Sequence, residues 1–142
     1  MARVLLTEDD LSVRTFVRRA LQLDGHDVVE AEDGAEALAL LATPDFHCDL
    51  IVSDITMPEV DGITLACLAK TQRPELLIIL MTGFFNERER ADHLDGVVME
   101  ILSKPFGLTD IRRAVSHAVT HLTEPLAAVA ASCARQSTAS AA

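Results

Sequence analysis

The chain has no tryptophan and no tyrosine among its 142 residues, and it has only five phenylalanines. Basic residues are also few: 12 Lys and Arg stand against 22 Asp and Glu, which gives a formal net charge of −10. A nucleic-acid surface needs clustered cations to neutralise phosphates and aromatic rings on which bases can stack. We therefore expect no nucleic-acid partner.

Cysteines and long apolar runs are scarce as well. The three cysteines, Cys48, Cys67 and Cys133, are odd in number and have no paired spacing, which favours a reduced chain over a disulfide framework. No run approaches the roughly 20 apolar residues of a membrane span. The first residues lack the charged and apolar segments of a secretion signal. We expect a cytoplasmic protein with no membrane partner.

Short apolar runs alternate with amphipathic segments along the chain. The pattern predicts strands at residues 4–7, 28–29, 50–53, 76–81 and 97–102. Helices are predicted around residues 13–21 and at 35–41, 63–71, 86–93 and 108–122. Each βαβ unit takes about 30 residues. The chain is therefore predicted to be an α/β domain, a doubly wound five-stranded parallel sheet with helices on both faces.

Polar side chains follow four of these strands. Glu8 and Asp9 follow the first, Asp54 the third, Thr82 the fourth and Lys104 the fifth. The carboxyl ends of parallel strands share one edge of a sheet, where α/β proteins bind ligands. Like charges about 4 Å apart repel by about 4 kcal/mol at an effective dielectric of about 20, so clustered carboxylates raise their pKa values or bind a cation.

The chemistry of this set points to phosphoryl transfer. Carboxylate oxygens without nearby His or Cys suit Mg²⁺. Lys104 supplies a point charge for a phosphoryl oxygen, and Thr82 supplies a hydroxyl. A nucleophilic carboxylate at Asp54 beside a cation and a lysine is what in-line phosphoryl transfer onto aspartate requires. Asp10 is interpreted differently, as the N-cap of the first helix.

These residues also carry a resemblance to a known family. The chain resembles the receiver domain of response regulators in two-component signalling over about residues 2–122. The matching motifs, in the order and spacing of the family, are Glu8-Asp9, Asp54, Met57-Pro58, Asp61-Gly62, Thr82-Gly83 and Lys104-Pro105-Phe106. Residues 1–122 are thus expected to form the receiver domain and residues 123–142 a flexible Ala-rich tail.

The resemblance implies a flavodoxin-like (βα)5 fold and a phosphoacceptor. Asp54 would accept a phosphoryl group from the phosphohistidine of a sensor histidine kinase or a histidine phosphotransfer protein. Asp9, Asp54 and the backbone carbonyl of Thr56 would hold Mg²⁺, with Glu8 acting mainly through a bound water. The protein would not be an enzyme, although it would assist its own phosphorylation and dephosphorylation.

The resemblance also implies a switch. Lys104 would contact the phosphoryl group, before a cis Pro105. Thr82 would move towards the new phosphoryl oxygen and rearrange the surface beside it. Receivers commonly carry Tyr or Phe three residues before the lysine, where this chain has Ile101. An aliphatic side chain cannot make the same aromatic rotation.

Among receivers, the chain is most similar to the CpdR-type stand-alone regulators. That resemblance implies control of ClpXP-dependent proteolysis, with ClpXP or its adaptors as the downstream partner. The terminal Ala141-Ala142 is most simply the end of an uninformative tail, and its alternative interpretation is a tag of the kind that unfoldases such as ClpX recognise. About 20 residues follow Leu122, too few for an output module, so we expect a single-domain regulator that signals through protein contacts.

Three other interpretations compete with this one. A haloacid-dehalogenase-type phosphohydrolase also uses Mg²⁺ and a strand-end aspartate, but it needs an acid two residues later, where this chain has Thr56. A flavodoxin-like carrier fits poorly with carboxylates at the pocket for an anionic flavin phosphate. A receiver-like module that works by binding alone, without phosphorylation, is the third, motivated by Ile101.

Overall fold

The computed structural model describes residues 2–83 and 96–122. The strands are β1 (Arg3–Thr7), β2 (Asp27–Ala31), β3 (Leu50–Asp54), β4 (Leu77–Thr82) and β5 (Glu100–Ser103). The helices of this part of the chain are α1 (Leu11–Leu23), α2 (Gly34–Ala42), α3 (Gly62–Gln72) and α4 (Leu108–Leu122). The predicted helix at residues 86–93, the tail from residue 123 and Ala141-Ala142 lie outside the described residues.

The five strands form one parallel sheet in the order β2-β1-β3-β4-β5. Chain order and spatial order diverge at β1, which lies between β2 and β3. This is the strand order of the flavodoxin-like fold, in which ligands bind outside the carboxyl ends of the strands at the switch point. The predicted α/β fold with a doubly wound parallel sheet is confirmed.

Helices cover both faces of the sheet. On one face α2 and α3 pack on alternate residues of the central strands, such as Leu5, Ile51 and Leu80. On the other face α1 and α4 pack on the intervening residues, such as Leu6 and Val52. Because the central strands are buried on both faces, they consist of continuous apolar runs instead of alternating patterns.

The polar residues at the start of each helix fix where the chain leaves the carboxyl edge. Asp10 caps α1, since its side chain accepts hydrogen bonds from the backbone N–H groups of Ser12 and Val13. The interpretation of Asp10 as an N-cap is confirmed. Asp33 and Asp61 cap α2 and α3 in the same way. In each of these three helices a protein carboxylate therefore already accepts from one or two first-turn N–H groups.

The fifth strand differs most from its predicted start, since the starts of the other strands agree to within one residue. The pattern predicts a strand from Val97, but β5 begins at Glu100. Gly96 adopts a φ of +88° in a turn, and the chain joins the sheet only where Met99 donates its N–H to the carbonyl of Ile78 at 2.8 Å. The apolar side chains of Val97 and Val98 still pack on the core, which explains why the apolar run extends beyond the strand.

The helices described here do not include one with both the length and the apolar character needed to cross a membrane.

Candidate functional site

Three carboxylates meet at the carboxyl edge of the sheet. Glu8 and Asp9 directly follow β1, and Asp54 is the last residue of β3, the neighbouring strand. One oxygen from each carboxylate lies within 4.8 Å of the others. Glu8 is 1% exposed and Asp54 is 7% exposed, whereas Asp9 is open to solvent. The predicted convergence of these three side chains is confirmed.

Lys104 forms ion pairs with two of these carboxylates. Its Nζ lies 3.2 Å from Glu8 Oε2 and 3.3 Å from Asp54 Oδ1. The residue follows β5, and its backbone N–H donates to the carbonyl of Thr82 at 2.6 Å. The Lys104–Pro105 peptide bond is cis, as predicted. The lysine is therefore an ion-pair partner of Asp54.

Thr82 and Thr56 lie near the carboxyl ends of β4 and β3. Thr82 is the last residue of β4 and is 2% exposed. Its strand lies between the one that ends in Asp54 and the one that precedes Lys104. Thr56 lies in the loop after β3, two residues beyond Asp54, and is exposed. The roles assigned to the Thr82 hydroxyl and the Thr56 carbonyl remain predictions.

Ile101 lies on β5 opposite Leu80 of β4. Its side chain is half-buried and packs against the core on the face of the sheet that carries α2 and α3. An aliphatic side chain at this position contributes to packing, and its consequence for switching remains a prediction.

The electrostatics of the site are dominated by burial of negative charge. Burial raises the pKa of Glu8 to about 7, and the charge of Asp54 adds to this effect while Lys104 opposes it. Burial also raises the pKa of Asp54, against the lowering influence of Lys104. For Lys104 itself, burial lowers the pKa but the two neighbouring carboxylates outweigh it, so that the pKa is raised. One lysine thus does not neutralise three carboxylates.

Gly62 shapes the loop that follows Asp54. It donates its N–H to the carbonyl of Ile55 at 2.8 Å, and a Cβ at this position would overlap the carbonyl oxygen of Asp54. Only glycine allows so close an approach of the two backbones. The sequence marks Gly62 as part of an Asp-Gly motif but does not reveal this contact, because the contact depends on how the loop folds back.

Arg14 is a second residue whose place the sequence does not reveal. It lies in α1 among residues that the helical pattern assigns to the polar face, yet it is only 9% exposed. Its Nη1 donates to the backbone carbonyl of Glu8 at 2.8 Å, and its Nε lies 3.4 Å from Glu30 Oε1. An arginine between apolar helix positions gives no signal in the sequence that its guanidinium reaches the carboxyl edge.

The carboxylate cluster has a donor set that could bind a metal ion. All of its ligand atoms are oxygens, which Mg²⁺ and other hard cations prefer. The oxygens of Glu8, Asp9 and Asp54 lie within 4.8 Å of one another, so that one ion could contact them directly or through its water ligands.

Comparison with known proteins identifies the family. The model of the response regulator receiver domain matches residues 4–116. The chain belongs to this family. Its Asp54, Lys104 and acidic pair Glu8-Asp9 therefore occupy the carboxyl edge of a receiver domain.

Two relatives and one solved structure illustrate the similarity. The receiver domain is 40% identical over 111 residues to the response regulator receiver protein CpdR of Brucella abortus (strain 2308), covering 78% of this chain and 91% of that protein. It is 35% identical over 109 residues to the response regulator MprA of Mycolicibacterium vanbaalenii, covering 77% of this chain but 46% of that longer protein. The structure of the response regulator TrrA of Thermotoga maritima in complex with Mg²⁺ and BeF superposes with a TM-score of 0.74 at 27% identity, covering 83% of this chain and 99% of that one.

Proposed function

We propose that this chain is a response regulator in which Asp54 accepts a phosphoryl group in a Mg²⁺-dependent reaction. The observation that carries the proposal is the environment of Asp54: a nearly buried carboxylate with a lysine at 3.3 Å and two further carboxylates beside it. A carboxylate is a weak nucleophile unless its reaction partner is positioned and charge on the transferred group is neutralised. Lys104 and a bound cation would provide that neutralisation.

The phosphoryl donor is a phosphohistidine on a sensor histidine kinase or a histidine phosphotransfer protein. An oxygen of Asp54 attacks the phosphorus in line with the leaving nitrogen. The P–N bond breaks, its electron pair stays on the histidine, and an acyl phosphate forms on Asp54. Mg²⁺, when bound by Glu8, Asp9, Asp54 and the Thr56 carbonyl, would neutralise charge on the phosphoryl oxygens.

Lys104 and Thr82 would handle the product. In the unphosphorylated state Lys104 holds Glu8 and Asp54 together, and after transfer its ammonium group would bind a phosphoryl oxygen. The Thr82 hydroxyl, at the end of the adjacent strand, would reach the same group. The backbone N–H of Lys104 donates a hydrogen bond to the carbonyl of Thr82. Movement of one of these residues would therefore displace the other.

The chain would act as a phosphoacceptor and not as a turnover enzyme, and it would work in the cytoplasm. Its output would be contact with a downstream protein. The similarity to CpdR supports regulated proteolysis as that output, with ClpXP or its adaptors as partners. Replacing Ala141 and Ala142 with Asp would then slow turnover by ClpXP, whereas unchanged decay would remove the idea of a C-terminal tag.

The experiment that tests the proposal is intact-mass spectrometry after incubation with acetyl phosphate and Mg²⁺. We expect one phosphoryl group on the wild-type chain and on the control Asp33→Asn, in which asparagine can still cap α2. We expect none on Asp54→Ala or in the presence of EDTA. If the wild-type chain gains no phosphoryl group from this donor or from a phosphohistidine protein, a module that acts by binding alone replaces the proposal.

The phosphohydrolase alternative is tested in the same samples. A haloacid-dehalogenase-type enzyme would hydrolyse many equivalents of a phosphate monoester such as p-nitrophenyl phosphate. The proposed receiver would release at most the phosphate that it has itself accepted.

A further inference from the structure

Arg14 makes a pair of contacts that link β2 to the metal-binding end of β1. Its guanidinium donates to the Glu8 carbonyl at 2.8 Å and contacts the Glu30 carboxylate at 3.4 Å. A cation that is 9% exposed is costly unless it is paired and hydrogen-bonded. These two contacts therefore offset the cost of burying the Arg14 charge.

The acceptor of the first contact is a backbone carbonyl. The Glu8 carbonyl belongs to the peptide unit that joins Glu8 to Asp9, the two acidic residues that follow β1. A peptide unit is planar, so fixing its oxygen fixes the orientation of the whole plane. The directions in which the Glu8 and Asp9 side chains leave the backbone depend on that orientation.

Hydrogen bonds also hold the backbone before and after the Glu8–Asp9 peptide unit. Before it, the Glu8 N–H donates to the carbonyl of Ala31 at 3.2 Å. After it, the Asp10 N–H donates to Glu8 Oε1 at 3.2 Å, and the Asp10 side chain caps α1. The hydrogen bond from Arg14 lies between these two sets of bonds, at the peptide unit that joins Glu8 to Asp9.

Glu30 holds the guanidinium in place. It lies on β2 in register with Leu6 of β1, and its carboxylate contacts both Arg14 and Arg18, the latter at 3.1 Å. Arg18, one helical turn further along α1, shares this carboxylate but makes no bond to Glu8. The two arginines therefore share Glu30 but differ in the bond to Glu8 and in burial, since the Arg14 side chain is 10% exposed and the Arg18 side chain 32%.

We propose that Arg14, oriented by Glu30, is a positioning residue that sets the places of the Glu8 and Asp9 carboxylates and thereby the affinity of the site for a divalent cation. The proposal rests on the proposed function in that the cation is taken to be Mg²⁺. Groups that orient metal ligands from behind commonly change metal affinity by about 10- to 100-fold when they are replaced. No phosphoryl transfer is needed for the effect to appear.

The test compares Arg14→Gln with Arg18→Gln by calorimetric titration of the whole chain with MgCl₂. We expect Arg14→Gln to weaken Mg²⁺ binding by about tenfold and Arg18→Gln to leave it unchanged. Coulomb's law alone gives the opposite sign, since removing a nearby positive charge favours a cation. Unchanged or tighter binding in Arg14→Gln, or the same loss in both variants, would overturn the proposal.

Arg14→Lys separates geometry from charge. Lysine keeps the positive charge but lacks the planar fork that reaches a carbonyl and a carboxylate at once. We expect an affinity between those of the wild-type chain and Arg14→Gln. If Arg14→Gln does not fold, Arg14→Lys and Glu30→Gln carry the same test, and wild-type affinity in both of these variants would overturn the proposal.

A metal-free measurement keeps this inference distinct from the proposed function. Without Mg²⁺, we expect hydrogen exchange at the Asp9 and Asp10 amides to be faster in Arg14→Gln than in the wild-type chain or Arg18→Gln. Exchange that is equal in all three proteins would contradict the positioning role. A wild-type chain that binds no Mg²⁺ would instead count against the proposed function, while the exchange comparison still decides the role of Arg14.

Discussion

Lys104 Nζ lies 3.3 Å from Asp54 Oδ1 although the two residues are separated by 50 positions in the sequence and by the whole of β4 in the sheet. The same ammonium group lies 3.2 Å from Glu8 Oε2. It therefore connects Glu8, which follows β1, and Asp54, which ends β3, to β5 at the edge of the sheet. The contact places a positive charge beside the proposed phosphoacceptor before any phosphoryl group arrives.

Replacing Lys104 with Met should leave the fold intact and reduce phosphorylation. The variant keeps an unbranched side chain but loses the charge that would bind a phosphoryl oxygen. We expect the rate of phosphorylation by acetyl phosphate at saturating Mg²⁺ to fall by about 100-fold, the usual effect of removing one donor from a developing negative charge.

The control for this prediction is Lys70→Met. Lys70 lies in the last turn of α3, where its ammonium group donates to the carbonyl of Pro74. Its loss should not change the rate. Equal rates in wild type and Lys104→Met would remove the lysine from the mechanism.

Adding a methyl group at Gly62 should disturb Asp54 directly. The new Cβ would overlap the Asp54 carbonyl oxygen and the adjacent backbone, so the loop after β3 must shift. We expect Gly62→Ala to lower the free energy of unfolding by about 1–3 kcal/mol, the range for overpacking, and to slow phosphorylation as well. Urea denaturation and the mass-spectrometric assay measure the two effects.

Gly107→Ala serves as the comparison for Gly62→Ala. Among the residues that the structure describes, a Cβ at Gly107 would meet only Asp110 Oδ2, at an ordinary contact distance of 3.6 Å. If both variants have the stability of the wild-type chain, the result would contradict the tight packing of Gly62 against Asp54.

The buried hydroxyl of Thr7 is expected to cost stability. Thr7 is the last residue of β1 and is fully buried, and its Oγ1 has no hydrogen-bond partner among the residues that the structure describes. An unsatisfied buried polar group costs about 1–3 kcal/mol, and valine has almost the same shape. Thr7→Val should therefore raise the free energy of unfolding by about 1 kcal/mol.

The contrasting variant is Thr71→Val. The Thr71 hydroxyl is exposed on α3 and donates to the carbonyl of Cys67 at 2.9 Å, so its replacement should not stabilise the protein. A loss of stability in Thr7→Val would show that its hydroxyl is bonded in solution.

The raised pKa of Glu8 predicts how metal-free stability changes with pH. Burial raises this pKa from 4.5 to about 7 in the folded chain, so the folded state binds the proton more tightly than the unfolded state. Its contribution to stability is complete below pH 4.5 and is lost as the pH rises through about 7. Stability in EDTA should therefore fall across this window.

Glu8→Gln should flatten this part of the pH profile and make the metal-free protein more stable above the window. Urea midpoints at a series of pH values measure both effects. Glu75→Gln, an exposed substitution just before β4 at the opposite edge of the sheet, should leave the profile unchanged. A wild-type stability that rises across the window would contradict the raised pKa.

Much of the fold and the carboxylate cluster follows from the sequence because both depend on local patterns. Buried parallel strands require continuous apolar runs, and those runs end at Thr7, Asp54 and Thr82. Parallel pairing then brings their ends to one edge, which is why Glu8, Asp9, Asp54 and Lys104 could be grouped before any coordinates. The strand order makes β1 and β3 neighbours, so that their carboxylates lie side by side at the edge where such sheets bind ligands.

The remainder depends on contacts between segments that are distant in sequence. Val97 and Val98 have strand-like composition, but the turn at Gly96 delays the start of β5. The burial of Arg14 in α1 depends on Glu30 in β2, and the need for glycine at position 62 depends on how its loop returns to Asp54. None of these is encoded in the spacing of apolar residues.

The most direct test of the central claim is to locate the phosphoryl group on the chain. Reduction of the acyl phosphate with borohydride converts the phosphorylated aspartate to homoserine, which tandem mass spectrometry of the digested protein identifies by position. After incubation with acetyl phosphate and Mg²⁺, we predict conversion at Asp54 and none at Glu8, Asp9 or Asp10. Conversion at another carboxylate, or none anywhere in a chain that binds Mg²⁺, would contradict the assignment of Asp54 as the phosphoacceptor.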